Sequence, residues 1–172
     1  VNPLPIIDPG TPFSVCEGSE VTLTASGAGL GASYTWDNGV INGIPFSLDE
    51  TNEYTVIGTD ANGCEGTASI MVTGVLNPDA SFTASPTSGV IPLNVDFQNL
   101  TTNATDYSWD FGNGDSLNYA EPNNPVISSI YNEEGIYAVI LTAFNQLCSD
   151  TYTLEIDANL VGDPSVFVPN VF

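Results

Sequence analysis

Apolar and polar positions alternate along almost the whole chain, and the three-to-four spacing of an amphipathic helix occurs nowhere. Val21, Leu23 and Ala25 alternate with Thr22 and Thr24, Tyr34 and Trp36 flank Thr35, Tyr54 and Val56 flank Thr55, and Ala68, Ile70 and Val72 keep the same rhythm. This pattern predicts short strands, each with one buried face. A second set follows in Phe82 and Ala84, Val95 and Phe97, Tyr107 to Phe111, Tyr137 to Ala143, and Tyr152 to Ile156. Between the runs lie turn clusters such as Asp37-Asn38-Gly39, Asp60-Ala61-Asn62-Gly63 and Glu133-Glu134-Gly135, whose Gly and Asn tolerate positive φ. The chain reads as all-β, twice over, with a Pro-bearing boundary at Asn77-Pro78-Asp79.

The two halves share marks at equivalent places. Trp36 and Trp109 sit on the third strand of each half, and Tyr54-Thr55-Val56 and Tyr137-Ala138-Val139 open a later one. A Trp on the third strand and a Tyr near the start of the sixth are the marks of an immunoglobulin-like sandwich, the Tyr hydroxyl bonding back to backbone at a corner. Trp36, Tyr54, Trp109 and Tyr137 are therefore expected to be structural core. Val56 and Val139 stand where an antibody domain carries its second core cysteine, so packing replaces that disulfide.

Composition narrows the chemistry. The 172 residues include 21 Asp plus Glu and no Lys, Arg or His, a formal charge of -21. With 42% apolar residues the chain is too hydrophobic for a disordered acidic tail. Catalysis by a Ser-His or Cys-His pair, a Schiff-base lysine, a phosphate-clamping arginine or a His-ligated zinc is excluded. Nucleic acid and anionic lipid are poor partners for a uniformly negative surface. No apolar run approaches the roughly 20 residues of a membrane span, and no signal-peptide pattern opens the chain, which reads as a mature product or a fragment.

Three cysteines remain. Cys16 precedes the second strand and Cys64 the last strand of the first half, placing both near one end of that sandwich. A bridge between them would close a loop of about 50 residues and contribute roughly 2–4 kcal/mol; the alternative is two buried free thiols. Cys148 has no counterpart of Cys16 in its own half, leaving a free thiol or a bond to another chain or module.

Tyr107-Ser108-Trp109-Asp110-Phe111-Gly112-Asn113-Gly114-Asp115 resembles the YxWDFGDG motif of polycystic-kidney-disease (PKD) domains, with Asn113 in place of the usual Asp. The resemblance extends over residues 79–158, through Pro86-x5-Pro92-Leu93-x-Val95-x-Phe97 and Gly135-Ile136-Tyr137-x-Val139. Residues 1–76 resemble the Ig-like and PKD-like repeats of large secreted or surface proteins of Bacteroidetes. Residues 159–172 form a linker and an apolar strand, and Pro164 to Phe172 is similar to the opening of the gliding-motility-associated C-terminal module of type IX secretion. The resemblance implies two tandem immunoglobulin-like/PKD β-sandwiches, an extracellular or cell-surface location, and a role as stalk, adhesin or filament.

Candidate sites follow. Asp110, Asn113 and Asp115 cluster oxygen donors of the kind calcium takes, with Asp60 and Asn62 a second such turn; the same side chains are also the natural caps of turn amides. No cofactor is required, and calcium is the one these donors could take. Asp115-Ser116-Leu117 resembles the O-glycosylation site of Bacteroidetes, at Ser116. Asn99-Leu100-Thr101 and Asn103-Ala104-Thr105 satisfy the N-glycosylation rule, a chance match in a bacterial chain. The adjacent pairs Asp49-Glu50 and Glu133-Glu134 are the places where glycosidase-like carboxylates could stand, but neighbours in a turn point apart, and the chain reads as no enzyme. Val166, Phe167, Val168, Val171 and Phe172 form an apolar segment after a completed sandwich. It is either the first strand of a following domain or a strand that adds to an open edge of another subunit.

The expected function is a non-enzymatic extracellular structural module acting through protein-protein contacts, with copies of itself or neighbouring modules as partners and a surface glycan or protein as the ligand of any adhesin. The alternative is an accessory substrate- or glycan-binding module of a secreted hydrolase.

Overall fold

The structure, a computed structural model, describes residues 3–121 and 125–160. The chain divides between Leu76 and Asn77 into two compact units, and the described residues are all-β, with no helix.

The first unit contains β1 (Phe13–Cys16), β2 (Ser19–Val21), β3 (Ser33–Trp36), β4 (Phe46–Leu48), β5 (Asn52–Thr59) and β6 (Glu65–Val75). A four-stranded sheet in the order β1-β6-β5-β3 faces a two-stranded sheet of β2 and β4. Between them lie Leu23, Trp36, Leu48, Tyr54, Val56, Ile70 and Val72, all buried. The strand anticipated over Val21 to Ala25 ends at Val21. Leu23 and Ala25 remain buried, but their backbone turns to a loop: Gly43 N donates to Leu23 O and Ala25 N to Asn42 Oδ1.

The second unit contains β7 (Phe82–Ser85), β8 (Ser88–Val90), β9 (Leu93–Asn99), β10 (Asp106–Asp110), β11 (Ser116–Ala120), β12 (Ile127–Tyr131), β13 (Gly135–Phe144) and β14 (Ser149–Asn159). Its sheets run β11-β10-β13-β14-β8 and β12-β9-β7. Phe82, Phe97, Trp109 and Phe111 form the aromatic centre, with Phe82 and Trp109 centroids 4.8 Å apart and Phe97 and Phe111 5.3 Å apart. Val56 and Val139, at the positions of an absent core cysteine, are completely buried. Trp36, Tyr54 and Trp109 are buried core, whereas Tyr137 is half-buried and packs against the core from its corner.

The cysteine pairing anticipated from position is overturned. Cys64 is a free thiol, whereas Cys16 and Cys148 are each disulfide-bonded. The reason is β1, which the sequence pattern conceals. It runs parallel to β6 with Cys16 opposite Val75, while Cys64 precedes Glu65 at the other end of β6. At ~3.3 Å per residue the Cα atoms of Cys64 and Cys16 lie about 36 Å apart along β6, and a disulfide tolerates no more than about 7 Å between Cα atoms.

Candidate functional site

The motif turn after Trp109 is built from within. Asp110 Oδ1 accepts the Gly112 amide at 2.9 Å, Asn113 Oδ1 accepts the Asp115 amide at 3.0 Å, and Phe111 N donates to Asp115 O at 3.1 Å. Gly112 and Gly114 have φ of 74° and 96°. A Cβ on Gly112 would also stand 2.8 Å from Ala138 O, so glycine is required there twice over.

β12, in the opposite sheet, anchors this turn. Asn113 Nδ2 donates to Ser129 Oγ at 2.9 Å and to Ile130 O at 3.2 Å. Tyr131, fully buried, donates its hydroxyl to Phe111 O at 3.0 Å, and burial pushes its pKa up to about 12. Ser129 and Tyr131 are missed by the sequence reading. Their signal is the alternation of Ile127, Ser129 and Tyr131, masked by Ile130 in the wrong phase. At the mouth lies a shallow concavity of about 420 Å³ lined by Asn113, Asp115, Ile130, Asn132, Glu133 and Tyr137. Tyr137 donates its hydroxyl to Glu133 O at 2.9 Å, the corner bond of an immunoglobulin-like sandwich.

The three anticipated calcium donors are thus brought together by the fold, but with one Asp110 oxygen and the Asn113 carbonyl committed to amides. Calcium wants six to eight oxygens; the turn turns an NH₂ group toward β12 and leaves a cation the remaining oxygens of two carboxylates. Among the described residues, no three Asp, Glu, Cys or His side chains group as metal ligands.

In the first unit the corresponding tyrosine end holds a concavity of about 250 Å³ lined by Asn38, Phe46, Asp49, Glu50, Asn52 and Tyr54. Here Asn42 does the anchoring: its Oδ1 accepts from Trp36 Nε1 at 3.0 Å and from Ala25 N at 2.8 Å. By contrast Trp109 Nε1 is buried without a hydrogen-bond partner. Asp60 holds its hairpin turn, Oδ1 accepting the amides of Asn62 and Cys64 at 2.8 Å each. Those amide bonds keep its carboxyl below the usual range.

Ser116 is exposed at the start of β11. Asn99 is engaged, donating Nδ2 to Tyr119 Oη at 2.8 Å, and Asn103 is exposed with φ of 59°. Val166, Phe167, Val168, Val171 and Phe172 lie outside the described residues.

Residues 79–158, which carry this turn, match the PKD domain family. This stretch is a PKD domain. Solved structures similar to it include carbohydrate-binding modules of the β-sandwich superfamily, 32% identical over 48% of this chain and 34% of theirs, TM-score 0.43. The PKD1 domain of the Vibrio cholerae metalloprotease PrtV is 30% identical over 48% of this chain and 98% of its own, TM-score 0.38. The chain thus spans about a third of the first and nearly all of the second. The titin domains z1z2 in complex with telethonin are similar over 92% of this chain and 98% of theirs at 14% identity, TM-score 0.38. No curated protein sequence matches the chain. In the PKD domain the motif's polar side chains face the turn's own amides and β12, and its Trp lies in the core.

Proposed function

We propose that this chain is a non-enzymatic extracellular structural segment, part of a surface stalk, adhesin or filament, that works through protein-protein contacts. The observation that carries this reading is the use of the PKD motif: the side chains of Asp110 and Asn113 accept amides of their own turn, Asn113 reaches on to β12, and Asp115 Oδ2 accepts from Asn113 Nδ2 at 3.4 Å. One Asp110 oxygen and both ends of the Asn113 amide are thus spent on architecture. A glycan-binding role would draw on exposed aromatic rings, whereas Trp36, Tyr54, Tyr107 and Trp109 are buried. Disulfide-bonded Cys16 and Cys148 fit an oxidising compartment. A chain without Lys or Arg also gives trypsin-like proteases no site.

Within this reading, β3, at the end of its four-stranded sheet, is an acceptor for the apolar segment from Val166 to Phe172 of another copy, by strand addition. Such a head-to-tail contact generates a filament when it does not close. Divalent cations act as counter-ions for 21 carboxylates with no cationic side chain beside them. Ser116, exposed, is a site for O-linked sugar; an intact mass equal to that of the polypeptide would rule this out.

Electron microscopy of the native material tests the main reading: a surface fringe or regular filaments are expected, and dispersed monomers that pull down with insoluble glycan would replace it with the accessory-module role. Deleting residues 164–172 is expected to leave folded monomers; continued polymerisation would remove the tail from the account.

A further inference from the structure

The outward face of the five-stranded sheet carries a line of apolar side chains along its central strand. On β13 the inward residues are Val139, Leu141 and Ala143, all completely buried. The outward ones are Ile136, Ala138, Ile140, Thr142 and Phe144. Ile136 is 70% exposed and Phe144 37%, with Ile140 half-buried between them. From Ile136 to Phe144 the line runs about 26 Å at ~3.3 Å per residue.

Register places a carboxylate beside nearly every step. Asp157 pairs with Ile136 and Glu155 with Ala138 across β14, while Asp110 pairs with Ile140 and Asp106 with Phe144 across β10. All four are exposed. Paired residues of an antiparallel ladder share a face, so the ridge is edged by acid on both sides. The sandwich itself does not call for this: the corresponding strand of the first unit, β5, turns Glu53, Thr55, Ile57 and Thr59 outward.

We propose that this face docks a protein segment that presents a line of apolar side chains edged by Lys or Arg. The apolar ridge favours removal from water, and the four carboxylates select the sign of the surrounding charge. A second copy of these 172 residues cannot be the occupant, because it brings acid and no cationic side chain. The proposal rests on the reading that the chain works through protein contacts and names the chemistry of a contact other than self-association.

The test uses the full chain and a synthetic amphipathic helix of about 18 residues, long enough for the ridge at 1.5 Å per residue, with a leucine line flanked by lysines. Its counterpart carries glutamates instead. Calorimetric binding of the lysine peptide and none of the glutamate peptide is expected. Because a chain of charge -21 attracts any polycation, the deciding variant leaves charge untouched: I136T/I140T, outward positions where Thr keeps strand propensity, is expected to weaken binding about tenfold with an unchanged melting temperature. I57T/M71T, on the outward face of the first unit's sheet, is the control and should bind as the parent does. E155Q/D157N should weaken binding and flatten its salt dependence. No binding, equal binding by I136T/I140T, or equal weakening by the control would overturn the proposal. Monomers in the microscope would sink the filament reading and leave this result standing.

Discussion

Asp60 Oδ1 accepts the backbone amide of Cys64 at 2.8 Å, closing the hairpin between β5 and β6. The hairpin between β13 and β14 is closed the same way by a different residue, Asn145 Oδ1 accepting the amide of Cys148 at 2.8 Å. In both, the first residue's own amide returns to the cysteine carbonyl, at 2.9 and 3.0 Å. The two loops differ in one respect that matters: a carboxylate titrates and an amide does not.

The first prediction concerns pH. Asp60 has its pKa lowered, first by the Cys64 amide. A carboxyl depressed in the folded state stabilises it above the unfolded pKa, and that contribution is lost as pH falls through the folded value. The amide resonance of Cys64 is therefore expected to titrate with a midpoint below 3.8, while that of Cys148 follows no titration of its own capping residue. D60N should abolish the Cys64 transition and keep the loop, since the Asn145 loop shows that a neutral oxygen suffices.

Thiol accessibility separates Cys64 from the two bonded cysteines. Alkylation without reductant is expected to modify Cys64 and spare Cys16 and Cys148, read by peptide mass spectrometry after cleavage at acidic residues. Modified Cys16 in that sample would contradict the structure.

Asn113 is expected to outweigh its two acidic neighbours. N113A removes the bond to the Asp115 amide and the donors to Ser129 and Ile130, a loss of about 2 kcal/mol in chemical denaturation. N113D keeps the acceptor, loses both donors and aims a carboxylate at Ile130 O. It should destabilise by about 1 kcal/mol and make the melting temperature respond to calcium, since it assembles three carboxylates in the turn. EDTA-insensitive melting of N113D would count against that last point.

The two tryptophans separate packing from hydrogen bonding. Asn42 Oδ1 holds both Trp36 Nε1 and Ala25 N, so N42A orphans two donors and is expected to cost about 2–3 kcal/mol. Trp109 Nε1 has no bond to lose. W109F should therefore show only the cost of lost volume, whereas W36F adds an unsatisfied Asn42 lone pair to it.

How far the fold was legible follows from where strands lie. Tyr54 to Val56 on β5, Ala68 to Val72 on β6, Tyr107 to Trp109 on β10 and Tyr137 to Ala143 on β13 bury alternate side chains against a full core, and period two is plain there. β1 and β8 are edge strands of four and three residues, without a single buried position. Their pairing is parallel and depends on distant partners, so no local alternation announces them. Overlooking β1 put Cys16 at the wrong end of β6. At the motif, turn chemistry could be read from Asp110, Gly112 and Asn113, whereas the reach of Asn113 to Ser129 and Ile130 belongs to the register of the opposite sheet.

Those two inconspicuous strands have a mechanical consequence. In each unit the early strand lies parallel to the last one, β1 against β6 over four register pairs and β8 against β14 over three. Once the disulfide-bonded cysteines are reduced, tension applied along the chain pulls the two partners past each other in opposite directions, loading their cross-links together in shear instead of opening them one by one. Rupture is then governed by the barrier to unfolding. In the reduced protein the first unit, with the longer sheared ladder, is expected to hold to the higher force in single-molecule stretching.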